Sequence, residues 1–170
     1  MINLKTTREL RYMRDAGKIS QEALLKAGEA VRPGVSTLEL DKIVRRTIEK
    51  AGAVPSFLGY GGFPASACIS VNNVVIHGIP SAHEILKEGD IVSIDVGAIY
   101  EGFNGDNAWT FPCGKVSEEA QKLMDATRES LFLAIERLCR ATASAISAPQ
   151  CSSMSKLAIT RWYGNLSATA

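Results

Sequence analysis

The sequence has almost no net charge and no long apolar run. Its 19 Lys and Arg residues balance 18 Asp and Glu residues and are spread along all 170 positions, so no surface for nucleic acid or acidic membranes is predicted. No apolar segment approaches the roughly 18 residues of a membrane-spanning helix, and the N-terminus lacks the apolar core of a signal peptide. We therefore expect one cytoplasmic globular domain that binds neither membranes nor nucleic acids.

The four cysteines lack the spacing of a metal or redox motif. No two of Cys68, Cys113, Cys139 and Cys151 form a C-x-x-C pair, so they are expected to be reduced thiols, as is usual in the cytosol.

The end of the chain lacks acidic residues. No Asp or Glu follows Glu136, and about half of the 31 residues from Arg140 to Ala170 are Ala, Ser or Thr. No helical or strand periodicity continues through this segment. We predict a folded region at residues 1–138 and a disordered tail at residues 139–170.

The folded region has the pattern of an α+β protein. Thr6 with Glu9, and Ser36 with Glu39, have the spacing of capping boxes at two helix starts, and a third amphipathic helix begins at Ser117. Between them, alternating apolar residues with Gly and Pro predict an antiparallel sheet and one long glycine-rich loop. The apolar stripes of the three helices are Leu10, Met13, Gly17, Leu24, Ala27 and Val31; Leu40, Ile43, Val44 and Ile48; and Leu123, Ala126, Leu131, Ala134, Ile135 and Leu138.

The predicted hairpin "IVSIDVGAIYEGFNGDNAW" carries an aspartate in each arm, although strand interiors disfavour Asp. A tight turn centred on Tyr100 and Glu101 would set Asp95 and Asp106 directly opposite each other, with Cβ atoms about 5 Å apart. Such carboxylates repel unless one is protonated or a cation lies between them, and a divalent metal would fit that gap. Alternatively, the aspartates lie at the sheet edge or support the turn.

Three further side chains are candidates for substrate contact. His77 follows a strand and precedes a glycine, so it either binds substrate or donates a proton, or it is a structural histidine. Tyr60 and Phe63 flank the glycines of "GYGGFP" and either wall an apolar pocket or pack on the sheet. This loop opens no helix and has no phosphate-binding lysine.

Together these segments resemble the N-terminal half of a class I methionine aminopeptidase. The resemblance runs from about Ile2 to Leu138 and is carried by "RPGVSTLELD", "PSFLGYGGFPASACISVNNVVIHGIP", "LKEGDIVSIDVGAIYEGFNGDNAWTF" and "SEEAQKLMDAT". It implies the N-terminal half of a pita-bread (creatinase/aminopeptidase) fold, an antiparallel sheet flanked by helices. The stretch "SVNNVVIHGIP" argues against the related proline dipeptidases and creatine hydrolases.

The resemblance also implies a site. Asp95 would bind one of two divalent metals, cobalt, manganese, iron or zinc, and Asp106 would bridge both. His77 would contact the substrate and help to stabilise the tetrahedral intermediate, and Tyr60, Phe63 and Cys68 would line the pocket for a flexible methionine side chain. The implied activity is metal-assisted removal of the initiator methionine. The implied partner is a nascent polypeptide N-terminus, also at the ribosome, and the implied state is a monomer.

The chain departs from this family in its last residues. The family's other three metal ligands, a histidine in a "GHG" stretch and two glutamates, belong to its second half. This chain has no histidine after His83 and no glutamate after Glu136. Two carboxylates make a weak, open metal site, so we expect this chain to bind metal poorly or not at all and to be inactive. The alternative is a non-catalytic half-domain that binds a peptide or a partner.

A frameshift would account for the tail. With permitted codons, Arg161 to Ala170 reads in another frame as "VVRELVGHG", which resembles the family's stretch around its histidine ligand. We therefore predict a frameshift near Leu138 to Arg140, in the gene or in its sequencing.

A fresh read of the coding DNA around Leu138 tests this prediction. We expect a gained or lost base there, and tail codons that read as "VVRELVGHG" when the frame is shifted. An intact mass of 18.3 kDa for the native product would exclude a sequencing error. Tail codons that give that stretch in no frame would contradict the frameshift itself.

Overall fold

The computed structural model describes residues 4–140, with side chains described as far as Ile135. Two compact units divide at Val116 and Ser117. The elements of the first unit are α1 (Thr7–Glu29), α2 (Thr37–Lys50), β1 (Val54–Pro55), β2 (Ala67–Val71), β3 (Ile91–Tyr100) and β4 (Phe103–Pro112), and that of the second is α3 (Glu118–Arg140). The α+β prediction is confirmed. Of the helices in the described part of the chain, none has the length and apolarity needed to cross a membrane.

Both predicted capping boxes are present. Thr6 Oγ1 accepts a hydrogen bond from Glu9 N at 3.3 Å, and Thr6 N donates to Glu9 Oε2 at 2.7 Å. Ser36 and Glu39 repeat this exchange at 3.3 Å and 2.8 Å. Because each box satisfies amide groups that a helix start leaves without partners, the two helices begin where the sequence indicates.

Strand β3 is the central strand of the sheet. One of its edges pairs antiparallel with β4 from Ile91↔Pro112 to Tyr100↔Phe103. Its other edge pairs first with β2 and then, near its end, with β1. The positions of the other three strands are therefore all set by their registers against β3.

A two-residue turn joins β3 to β4. Glu101 and Gly102 both have positive φ, 49° and 79°, which is the type I′ geometry that matches the twist of a hairpin. The expected turn centre at Tyr100 and Glu101 was therefore wrong by one residue. Glycine suits the second turn position because it adopts positive φ without steric cost, and this places Tyr100 opposite Phe103.

The core of the first unit lies between one face of the sheet and the helices α1 and α2. Val92, Ile94 and Val96 of β3 are fully buried there. The stripe predicted for α2 is confirmed at Leu40, Val44 and Ile48, each 0% exposed, whereas Ile43 is half-buried.

The stripe predicted for α1 is only partly right. Leu24 and Ala27 are buried, but Leu10 and Met13 are 39% and 37% exposed. The buried face of α1 consists instead largely of small residues, namely Ala16, Ser20, Ala23 and Ala27 together with Leu24. Small side chains allow the helix backbone to approach the sheet closely, so the first half of α1 buries less apolar surface than its pattern indicates.

The close approach of α1 to β4 requires a glycine. A Cβ atom on Gly105 would lie 2.2 Å from the backbone carbon of Ala16. The next inward-facing residue, Asn107, donates its amide Nδ2 to Gly17 O at 3.0 Å and to Ser20 Oγ at 2.7 Å. A steric fit and a partly buried polar contact thus hold β4 against α1.

In the second unit, the described residues form the helix α3. Ser117 Oγ accepts a hydrogen bond from Ala120 N at 3.1 Å, which caps the helix start. Leu131 and Ile135, on the predicted apolar face, are 49% and 44% exposed, and no side chain from residue 118 to 135 is buried. The helix includes residues 139 and 140, where the disordered tail was predicted to begin, and the rest of that prediction lies outside the described residues.

Replacing Gly105 with Ala tests the approach of α1 to β4. Because the neighbouring atoms belong to backbone, Gly105→Ala is expected to lower the free energy of unfolding by about 2–3 kcal/mol. The matched control is Gly17→Ala, a helical position where an added Cβ meets nothing within 4 Å, which should raise it by about 0.5–1 kcal/mol. Urea unfolding followed by circular dichroism measures both, and equal effects of the two substitutions would contradict the assigned packing.

Candidate functional site

Asp95 and Asp106 lie on the sheet face opposite α1 and α2. Asp95 alternates with Ile94 and Val96, which are buried in the core. Asp106 alternates with Gly105 and Asn107, which contact α1. Since side chains alternate along a strand, both carboxyl groups project to the other face of the sheet.

The two aspartates are diagonal neighbours and not directly opposite. Asp95 pairs with Ala108, and Asp106 pairs with Gly97. The predicted direct pairing was wrong because the turn is centred on Glu101 and Gly102. The predicted shared face was right, and diagonal side chains on one face remain within reach of each other.

The proximity of the two carboxyl groups perturbs Asp95. Burial, the charge of Asp106 and a hydrogen bond with Asp106 raise the pKa of Asp95 to about 6, while His77 lowers it. A hydrogen bond between two carboxyl groups exists only while one of them holds a proton. The pair is therefore poised between sharing a proton and repelling as two charges.

One oxygen of Asp95 has no partner within residues 4–140. Its Oδ1 atom is buried and makes no hydrogen bond to any described residue. A buried acceptor without a donor is costly, and a divalent cation bound by carboxylate oxygens would satisfy it. The described residues bring no group of three or more His, Cys, Asp or Glu side chains close enough to hold a metal, so the fit extends to two ligands.

Cys68 lies beside this pair. Strand β2 places Cys68 directly opposite Asp95, and the residue is only 7% exposed. Burial, followed by the charges of Asp95 and Asp106, raises the pKa of the Cys68 thiol to about 11. The thiol is therefore protonated at neutral pH and acts as a small apolar surface next to the carboxylates.

His77 lies beside the outer edge of β2. Gly78 O accepts from Ile69 N at 2.9 Å, and Gly78 N donates to Ser70 Oγ at 3.0 Å. Residue 78 must be glycine because a Cβ there would lie 2.0 Å from Ile69 O. His77 itself is exposed with a φ of 58°, a strained conformation of the kind found at functional sites.

The glycine-rich loop contributes aromatic side chains. Tyr60 begins a short 3-10 turn, Tyr60–Gly62, and is 81% exposed, while Phe63 is half-buried. Sequence reasoning missed Phe57 and its neighbour Ser56, whose side chains occupy the space where a Cβ of Gly97 would lie. Because Gly97 is directly opposite Asp106, these two residues also belong to the site face. The signal was a glycine within a strand, which often marks a close approach.

Comparison with known proteins identifies relatives of this arrangement. The model of the metallopeptidase family M24 matches residues 11–154. The methionine aminopeptidase of Clostridium acetobutylicum is 53% identical over 137 residues, which are 81% of this chain and 55% of that protein. The chain spans about half the length of the curated relatives it matches.

Solved structures agree with these relatives. The crystal structure of methionine aminopeptidase from Thermotoga maritima aligns with a TM-score of 0.77 at 41% identity, over 79% of this chain and 54% of that one. The prolidase of Pyrococcus furiosus aligns with a TM-score of 0.74 over 94% of this chain and 44% of that one, and at 24% identity it shows the fold alone. The predicted pita-bread fold is thus confirmed for the part of the chain that these structures cover.

The pKa of Asp95 predicts how stability changes with pH. Because the folded-state pKa is raised to about 6, the Asp95 contribution to stability is full below about pH 4 and is lost as the pH rises through 6. Without metal, Asp95→Asn should therefore be more stable than the unsubstituted chain at pH 8, by at most about 3 kcal/mol. The difference should shrink towards pH 4.

Urea unfolding in EDTA at pH 4, 6 and 8 measures this difference. The matched control is Asp15→Asn, which removes a carboxylate from an exposed ion pair on α1 and should show no such trend. A gain in Asp95→Asn that is the same at every pH would contradict the shifted pKa.

Proposed function

Because the chain belongs to the metallopeptidase family M24, we propose that it forms the first half of a methionine aminopeptidase. The substrate is the N-terminus of a nascent polypeptide, and the reaction removes its initiator methionine in the cytoplasm. Residues 1–138 make up this half, and residues 139–170 are an out-of-frame tail. The names of the relatives at about 50% identity support the reaction. It is a proposal for this chain because the chain covers only about half of their length.

The carboxylate pair is the single observation that carries this proposal. Asp95 and Asp106 lie on one face of the sheet, burial and the charge of Asp106 raise the pKa of Asp95, and one buried oxygen of Asp95 lacks a donor in the part of the chain that is described. Asp95 and Asp106 would hold the divalent metal ions, for which cobalt, manganese, iron and zinc are the candidates. When bound, the metals supply the Lewis-acid chemistry of peptide hydrolysis.

The neighbouring side chains bind the substrate. Cys68 is a buried, protonated thiol next to Asp95, and together with Phe63 and Tyr60 it receives the flexible methionine side chain. His77 is exposed beside β2 and has a hydrogen-bonding group to offer the scissile carbonyl, where it stabilises the developing negative charge. In this proposal Cys68, Phe63 and Tyr60 form the apolar part of the substrate site, and His77 is a polar group at its end.

Two carboxylates alone hold metal weakly, so this chain on its own is proposed to be inactive. The remaining ligands are supplied by the part of the relatives that the chain does not match. The complete protein acts as a monomer, also at the ribosome, without recognising nucleic acid or membranes itself. A half-domain that binds peptides without hydrolysis is the competing function, and it is the outcome expected if a completed site shows no turnover.

A chimaera tests the activity. Residues 1–138 are joined to the second half of the Clostridium acetobutylicum relative, and methionine release from a Met-Ala-Ser peptide is measured with Co²⁺ or Mn²⁺. The chimaera should release methionine, and Asp95→Asn within it should lower kcat by about 100-fold or more because a metal ligand is lost. The original chain should release none.

Asp15→Asn in the chimaera is the matched control, since this carboxylate lies on α1 in an exposed ion pair, and its activity should equal that of the parent chimaera. A folded chimaera that retains the peptide but does not cleave it would favour the non-catalytic function. Full activity of the Asp95→Asn chimaera would refute the assignment of the metal site.

A further inference from the structure

Another carboxylate, which does not belong to the Asp95 and Asp106 pair, is buried in the first unit. Asp41, in the second turn of α2, is 7% exposed. Its Oδ1 atom accepts hydrogen bonds from the backbone amides of Ser66 and Ala67, at 2.8 Å and 2.9 Å. These amides are 25 and 26 residues further along the chain, so the contact is tertiary and not a helix cap.

The two amides mark the point where the glycine-rich loop, residues 56–66, joins β2. Ala67 pairs with Val96, and the next residue, Cys68, pairs with Asp95. The anchor is therefore one residue from a side chain on the site face. A displacement of Ser66 and Ala67 would move Cys68 relative to Asp95.

The opposite end of the loop is anchored on β3. Ser56 N donates to Gly97 O at 3.0 Å, and Pro55 pairs with Ala98. Between the two ends, the loop makes its backbone hydrogen bonds within itself, including Gly59 N to Phe63 O at 2.8 Å. The glycine-rich loop is thus anchored at its two ends, and Asp41 provides the anchor at the β2 end.

We propose that Asp41 is a positioning residue of the site: its Oδ1 atom fixes the junction of the glycine-rich loop with β2, and so holds that loop and places Cys68 beside Asp95. The inference rests on the proposed function only in treating this face as the active site. Its test uses neither metal nor peptide, so it can fail while the aminopeptidase proposal stands, and the reverse also holds.

The geometry separates the role of the acceptor from the role of the charge. A single oxygen accepts both hydrogen bonds, so the side-chain oxygen of Asn could accept both as well. Burial raises the pKa of Asp41, and the two amide hydrogen bonds act in the opposite direction. Asp41→Asn should therefore preserve the junction, whereas Asp41→Ala leaves two buried amides without an acceptor.

Cysteine alkylation measures the junction directly. The full chain is treated with iodoacetamide under native conditions, and the rates at Cys68 and Cys113, both buried, are followed by peptide-resolved mass spectrometry. Asp41→Ala should raise the Cys68 rate about tenfold or more by local opening, with Cys113 changed less than about twofold. Asp41→Asn should leave both rates within about twofold of the original chain.

Thr37→Ala is the matched control. Thr37 is a fully buried polar residue of α2 that hydrogen-bonds to Ser81 and Glu84, so its loss should not favour Cys68 over Cys113. A selective rise at Cys68 in this control, or in Asp41→Asn, would overturn the proposal. Unchanged protection of Cys68 in a folded Asp41→Ala chain would do so as well.

If Asp41→Ala unfolds as a whole, both cysteines react together, and Asp41→Glu decides. This variant keeps the charge but moves the acceptor by one methylene. A selective rise at Cys68 in Asp41→Glu supports a role in positioning, and full protection there contradicts it.

Discussion

The register between β3 and β4 is the constraint on which the rest of the structure depends. Glu101 and Gly102 fix it by closing the hairpin with two residues of positive φ. A slip of one residue would turn Asp106 towards α1 and would bring the small Gly105 to the site face, because alternate residues face opposite sides of a sheet. Helix α1 opposes such a slip, since the backbone of Ala16 leaves no room for a Cβ at residue 105 and Asn107 donates a hydrogen bond to Ser20 Oγ. The helix on one face of the sheet therefore maintains the carboxylate pair on the other.

How much of the fold could be predicted depended on the range of each interaction. The capping boxes at Thr6 and Ser36 are local exchanges over three residues, so the sequence alone revealed them. The alternation of apolar residues revealed which face Asp95 occupies. The turn centre was missed because "IYEGF" allows two centres, and the correct one requires positive φ at Glu101, a residue other than glycine. The burial of α1 was misjudged because close packing against β4 selects small residues, which an apolar pattern undervalues.

The candidate site shows the same division. Short local motifs in the sequence were enough to name four of the candidates, Asp95, Asp106, His77 and Cys68. Phe57 could not be named in this way, since its presence on the site face follows from the missing Cβ of Gly97, some 40 residues away. Asp41 could not either, because nothing near it in the sequence indicates that its partners are the amides of Ser66 and Ala67. Long-range contacts of this kind become visible only when the sheet is assembled.

Two partly or fully buried aspartates with raised pKa values illustrate how structure distinguishes a ligand from a support. Asp41 is the more deeply buried residue, yet one of its oxygens accepts hydrogen bonds from two backbone amides, so its desolvation is partly offset within the first unit itself. Asp95 has a like charge beside it and a buried oxygen that receives no hydrogen bond from the described residues. Folding alone gives no reason to keep such a pair, since the desolvation of Asp95 and the repulsion from Asp106 both lower stability. A cation would offset both terms at once, which is why the proposed metal site is assigned to the unsatisfied aspartate and not to the more buried one.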